Sequence, residues 1–200
     1  NDITMSSTTT SHTLTSEDAS ATCRNPKVQD ALIYDVQILH RLKKRNYAQQ
    51  HSAQYYKRMT MALKCIDRYN LTSLPTRLLE AQTLALHVSK NNINNSTHNL
   101  MNVLKRLYKA VVEHIPECVR RIHYAASALF ETMSNGYFLP FCTVVAAALA
   151  RVRLLLIQIG EDVIAEYHVM VRTVQDAVNA HSNNDGQLVL REFFAGSHMN

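Results

Sequence analysis

Apolar side chains recur along this chain at steps of three and four, with no sustained alternation, so the pattern predicts helices and no strand. Leu32, Val36 and Leu39 form a first stripe behind Pro26, whose missing N–H costs nothing in the first turn of a helix. Tyr55, Met59, Leu63 and Ile66 form a second. The stripe fails from Lys43 to His51, but that stretch holds no Gly or Pro. The backbone is therefore expected to run on as one long helix whose buried face rotates or kinks. Leu71 to Pro75 reads as a connection, and Leu78, Leu79, Gln82, Leu86 and Val88 as the inner face of the next helix. Asn91 to Ser96 is polar and turn-prone. Leu100, Leu104, Leu107, Tyr108 and Val111 follow at helical spacing. Pro116 then bounds or opens a helix carrying Val119, Ile122, Ala126, Leu129, Phe130 and Met133. Ser134-Asn135-Gly136 is a helix stop, because Gly adopts the left-handed closing conformation without strain.

The last helix is expected to begin near Leu139 or Pro140 and to continue past Val178. Its first half is apolar almost all round, as in a helix surrounded by others. Its second half is amphipathic through Val163, Tyr167, Met170, Val174 and Val178, and Gly160 predicts a bend or a close helix contact. The expected fold is all-α: a single helical bundle with long first and last helices.

Composition agrees with that fold. The chain has 200 residues, 46 % of them hydrophobic, with four Gly and four Pro. That suits one domain with a sizeable core and excludes a loop-rich all-β fold, collagen, a disulfide-dense miniprotein and a wholly disordered chain. Residues 1–25 are Ser/Thr-rich and read as a flexible tail, residues 26–182 as the bundle, and residues 183–200 as a second flexible tail. Gly196-Ser197-His198-Met199 has the form of a protease-site cloning scar. The apolar run from Tyr137 to Ala150 stops short of the roughly 20 residues a membrane span needs, so it reads as a core helix and no membrane partner is expected. Cys23, Cys65, Cys118 and Cys142 form no CxxC pair. With no secretory signal read at the start, they are expected to be reduced, mostly buried thiols of a cytosolic or nuclear protein.

The formal net charge of +5 allows an anionic partner without demanding one, but its distribution is uneven. Between Arg41 and Arg68 stand Arg41, Lys43, Lys44, Arg45, Lys57, Arg58, Lys64 and Arg68, against the acid Asp67. Lys43, Gln50, Lys57 and Lys64 recur every seven residues, a stripe that could track phosphates, while Tyr47, His51, Tyr55 and Tyr56 could stack on unpaired bases. The bland reading is a solvated face with the tyrosines packed inward. A second basic group, Lys105, Arg106, Lys109, Arg120 and Arg121, is diluted by Glu113 and Glu117 and reads as ordinary surface. Arg151 and Arg153 interrupt the apolar helix, and Glu131, Glu161 and Asp162 are candidate acid partners. His114 and Cys118 are four apart, but no second pair completes a metal site, so no metal is expected. No phosphate loop, GxSxG or HExxH occurs, and four glycines leave little material for one. The chain is read as a non-enzyme without cofactor or small-molecule substrate.

Two segments resemble a known family. One is Leu39-His40-Arg41-Leu42-Lys43-Lys44-Arg45-Asn46-Tyr47-Ala48-Gln49-Gln50-His51, followed by Tyr55-Tyr56. The other is Gly136-Tyr137-Phe138-Leu139-Pro140-Phe141-Cys142-Thr143, running into Ala150-Arg151-Val152-Arg153-Leu154-Leu155. Together they resemble the Rmp subunit of ribonuclease MRP, to which the nucleolus and neural progenitor protein is related. Gln50-His51 is similar to the Gln-His step of the family's early motif, Tyr56 sits near its aromatic position, and Arg153 matches the arginine of the late motif. Ser52 stands where the family favours a basic residue, and Asn46-Tyr47-Ala48-Gln49 replaces its Asn-Lys-Asn run.

The resemblance implies a nuclear, nucleolar, non-catalytic subunit of a ribonucleoprotein that processes precursor ribosomal RNA, with structured RNA and neighbouring protein subunits as partners. The candidate RNA-binding set is Lys43, Lys44, Arg45, Asn46, Gln50, His51, Tyr55, Tyr56, Lys57, Arg58 and Arg153. Two alternatives stand beside it: a helical protein-interaction module whose basic face meets an acidic protein, and a membrane-surface or secreted bundle.

Overall fold

A computed structural model describes residues 26–90 and 93–180, with side chains described within 27–87 and 98–176. The two expected tails, the terminal Gly-Ser-His-Met, Cys23 and the inward roles expected of Val88 and Val178 lie outside those bounds. Among the described residues every regular element is helical, as expected. The elements are α1 (Pro26–Arg45), α2 (Tyr47–Gln50), α3 (Gln54–Tyr69), α4 (Leu74–Lys90), α5 (Ile93–Lys109), α6 (Ile115–Ser134) and α7 (Leu139–Ala180). A 3-10 turn, Leu71–Ser73, joins α3 to α4, and a π turn, Ala110–His114, joins α5 to α6.

The first helix does not continue as expected. It stops at Arg45, and after the single turn of α2 the chain passes through Ala53 in an extended conformation, with ψ of 142°. The chain then reverses. The Gln29 side chain at the start of α1 donates to the Thr72 carbonyl beyond α3, while Tyr56 at the start of α3 donates to the Lys43 carbonyl near the end of α1. Residues 46–53 thus form a corner between two antiparallel helices, stabilised by contacts distant in sequence rather than by a helix breaker.

The core joins all the long helices. Leu32 and Leu39 of α1 and Met59, Leu63 and Ile66 of α3 are fully buried, together with Leu74 of α4, Leu104 of α5, Ile122 of α6 and Leu156 of α7. Each such side chain is stabilised by about 1.5–3 kcal/mol through burial. The buried stripe of α4 is Leu74, Leu78, Ala81 and Ala85, so the expected inner positions Leu79 and Leu86 are exposed; the two alanines let neighbouring helices approach closely instead. The polar run expected as a turn at Asn91–Ser96 is already helical from Ile93. Phe130, expected in the α6 stripe, is 61 % exposed, because the buried face turns through Ala125, Ala128 and Leu129.

Pro116 sits in the first turn of α6, just after the π turn in which the Ile115 N–H donates to the Ala110 carbonyl five residues back. A proline there cannot supply the next helical hydrogen bond, and a π turn is one way a continuous helix absorbs that loss. The stop after α6 occurs where the sequence places it. Gly136 has φ of +75°, and the Tyr137 N–H donates to the Thr132 carbonyl at 3.3 Å. Gly160 also behaves as expected, since a Cβ at that position would lie 3.3 Å from the Ile115 side chain.

By length and composition, α7 could span a membrane, which differs from the expectation that its apolar run is too short. Nor is its first half enclosed. Val145, Leu149, Val152 and Leu156 pack inward, while Val144 and Leu154 remain exposed.

The cysteine expectation needs correction. Cys65 of α3 and Cys118 of α6 face one another in the core with Cα atoms 5.8 Å apart and form a disulfide. Cys142 is a free, buried thiol, as expected.

Candidate nucleic-acid interface

The corner after α1 gathers most of the candidate residues. Lys43, Lys44 and Arg45 occupy the last turn of α1, where cations complement the helix dipole. Lys57 and Arg58 lie one turn into α3. Tyr56 ties the two sets together, because its hydroxyl donates to the Lys43 carbonyl at 2.6 Å. Asn46 closes the end of α1, with both its backbone N–H and its side-chain amide donating to the Leu42 carbonyl.

Three members of the candidate set are not available to a ligand. Gln50, Tyr55 and Tyr56 are each 4 % exposed. The Tyr55 hydroxyl donates to the Gln50 side-chain carbonyl, and its ring lies 6.2 Å from that of Phe141 on α7. Burial, with the nearby Cys142 thiol adding to it, raises the Tyr55 phenol to about 12. Burial raises the Tyr56 phenol too, with Tyr47 contributing. These side chains build the corner instead of presenting to solvent. Their burial also removes the seven-residue stripe, since Gln50 points inward and Lys43 lies on a different helix from Lys57 and Lys64.

Tyr47 and His51 remain outside. Tyr47 is 61 % exposed; its ring lies 5.3 Å from the His51 ring in a stacked arrangement and 6.5 Å from the Tyr56 ring in an edge-type one. Arg58 is half-buried and donates to the Tyr124 carbonyl of α6 at 3.3 Å. Arg153 is exposed on α7 and does not join the corner. Arg151, two residues earlier, reaches the middle of α1 at Asp35, eight residues or about 12 Å of helix before Lys43.

Two acids on the helices that form the corner have partners of their own. Asp67 pairs with His40 at 3.3 Å, and Asp35, 1 % exposed, pairs with Arg151 at 3.2 Å. The acid partner of Arg151 is therefore on α1 rather than at Glu131, Glu161 or Asp162. Among the described residues, none of Lys43, Lys44, Arg45, Lys57, Lys64 and Arg68 meets a carboxylate. The second basic group contrasts with this. Glu117 pairs with both Arg120 and Arg121, and Lys109 reaches Glu113 at 3.7 Å. Hydrogen bonds from the two arginines hold the Glu117 carboxyl below its ordinary range.

His114 and Cys118, weighed as a ligand pair, are engaged otherwise: the imidazole stacks on Tyr69 at 3.9 Å and the sulfur is bridged to Cys65. Sequence reasoning missed an apolar cavity of about 180 Å³ between the π turn and α7, lined by Tyr108, Val111, Val163 and Tyr167 among others. Its wall is almost wholly apolar, with Tyr108, Tyr167 and His168 the side chains there that carry a polar group. Comparison with protein-family models, curated proteins and solved structures gives no match for this chain.

Proposed function

We propose that this chain is a non-catalytic, RNA-binding structural subunit of a nuclear ribonucleoprotein endonuclease of the ribonuclease MRP type, acting in precursor ribosomal RNA processing. One observation carries the RNA-binding part: a corner of clustered cations that no carboxylate among the described residues neutralises. Unpaired cations held on rigid helices attract a phosphate backbone, and binding is driven by release of its counterions. The finer assignment rests on the two segments that resemble the Rmp subunit. The cleavage chemistry belongs to the RNA of such a particle, and the protein braces the folded RNA and its neighbours.

The test is RNA retention by the full chain. Changing Lys43, Lys44 and Arg45 to Glu is expected to lower affinity at least about a thousandfold near 0.1 M salt without unfolding the bundle, because six units of charge change on the binding face. Affinity of the unaltered chain should also fall steeply with salt. Unchanged retention in the triple variant defeats the reading. Sequencing RNA crosslinked to the chain in its native cells tests the partner as well.

A second reading has its own support. Tyr124, Phe130, Tyr137 and Phe138 are exposed on α6 and the loop after it, and Arg58 and Phe141 link that region to the corner. Such a surface also suits a protein-interaction module with an acidic partner. That module would co-purify with a protein after nuclease treatment and show no RNA shift at moderate salt.

A further inference from the structure

Cations alone bind duplex and single-stranded RNA alike, but the corner holds more than cations. Tyr47 stands on the single turn of α2 as an exposed residue, and His51 stacks against its ring. The pair is held in place. The His51 backbone N–H donates to the Tyr47 carbonyl at 3.1 Å, and the His51 Nδ1 approaches the same carbonyl at 3.1 Å. A carbonyl can only accept, so the His51 Nδ1 is the donor in this contact. Below the ring, Tyr56 supports Tyr47 edge-on and pins the Lys43 carbonyl. The platform therefore stands between the last turn of α1 and the first turn of α3, with Lys44 and Arg45 before it and Lys57 after it, all three exposed.

We propose that Tyr47, backed by His51, stacks an unpaired base of the bound RNA while Lys44, Arg45 and Lys57 hold the flanking phosphates, so that this site selects single-stranded RNA over duplex. The inference rests on the RNA-binding reading above and adds the class of RNA that the same corner takes. A base inside a duplex has both faces covered by its neighbours, whereas a base in a loop or bulge offers a free π face. Aromatic rings flanked by cations bind single strands in this way with little sequence preference. The buried Tyr55 and Tyr56 cannot take part, which places the stacking role on Tyr47.

The experiment measures binding of the full chain to two labelled RNAs, a 12-nucleotide single strand and a 12-base-pair duplex, at several salt concentrations. The variants are Tyr47→Ala, Tyr47→Phe and Lys43→Glu/Lys44→Glu/Arg45→Glu, with circular dichroism to establish that each is folded. Tyr47→Ala is expected to weaken single-strand binding about tenfold and to change duplex binding less than about twofold. Tyr47→Phe keeps the ring and should stay within about twofold of the unaltered chain on both RNAs. Because stacking is uncharged, Tyr47→Ala should leave the salt slope unchanged, while the triple variant flattens it. If Tyr47→Ala affects neither RNA, or both equally, while the triple variant still abolishes binding, the stacking inference fails and the cationic reading stands. If the unaltered chain binds neither RNA even at low salt, both fail together.

Discussion

The α5–α6 side of this molecule and the corner between α1 and α3 carry comparable clusters of Lys and Arg, but in different electrostatic states. On α6, Glu117 stands three and four residues before Arg120 and Arg121, within reach of both, and Lys109 has Glu113 four residues on. Each acid lies one helical turn from its cation, where side chains meet. At the corner, Asp67 and Asp35 face other partners, His40 and Arg151, and among the described residues none of Lys43, Lys44, Arg45 and Lys57 meets a carboxylate. Cation number alone therefore does not set a region's charge balance. The deciding feature is where the acids point once the helices have packed.

The helices bearing the two clusters are joined by the Cys65–Cys118 bridge, which gives the largest way to sharpen the comparison. Closing a loop of sequence separation 53 restricts the unfolded chain, and loop-closure entropy makes this worth about 4 kcal/mol. Denaturant unfolding with and without reductant should show a loss of that order. RNA affinity of the folded, reduced protein should stay within about twofold, since the bridge lies about two turns along α3 from Lys57. That separation matters because the nuclear setting proposed above would keep thiols reduced, and the proposed interface would then have to persist without the bridge. A large loss of affinity on reduction would tie the corner to the disulfide and undo its independence.

Arg151 and Arg153 repeat the contrast within one helix. Arg151 neutralises a carboxylate that is almost wholly buried, whereas Arg153 meets no acid among the described residues. Arg151→Met leaves Asp35 buried and unpaired; because the Arg151 side chain is itself 62 % exposed, water moderates the cost to about 2 kcal/mol. Arg153→Met should cost under about 0.5 kcal/mol. Equal losses in thermal or denaturant unfolding would remove the special standing of the Arg151 pair.

Much of this arrangement was legible in the sequence, for local reasons. The bounds of α7, the stop at Gly136, the proline in the first turn of α6 and the close packing at Gly160 follow from periodicity and caps that act within a few residues. The corner was not legible. No Gly or Pro marks residues 46–53, and the reversal depends on Gln29 reaching Thr72 and Tyr56 reaching Lys43. That reversal resets the helical phase, so the sequence named three tyrosines for stacking when one, Tyr47, faces outward. The cysteine pair escaped notice because its members are distant in sequence and lie on separate helices. The partner of Arg151 escaped for the same reason, since the acids weighed for it lie on α6 and α7 and the acid it meets is on α1.

A smaller change tests whether acids alone silence the second cluster. Glu117→Gln releases Arg120 and Arg121 together while keeping the size of the side chain. If their neutralisation is what separates this surface from the corner, the variant should bind RNA about two- to threefold more tightly at low salt and show a slightly steeper salt slope. No change in either quantity would mean that geometry, not charge, sets the two regions apart.

The smallest effect is a pH dependence on the paired side. Burial lowers the His114 imidazole below its ordinary range; Glu113 opposes the shift, and Lys109 and Arg77 add to it. The unfolded chain therefore takes up this proton at a higher pH than the folded one. Where the unfolded state binds more protons, stability rises with pH. The contribution of His114 is thus complete above the ordinary histidine value of about 6.5 and is lost as pH falls from there toward its lowered folded value. Melting temperature should fall between pH 7.5 and 5.5. His114→Phe, which keeps an aromatic ring against Tyr69, should fall less over the same interval. An equal fall in the variant would show that the burial of His114 is not the source of the slope.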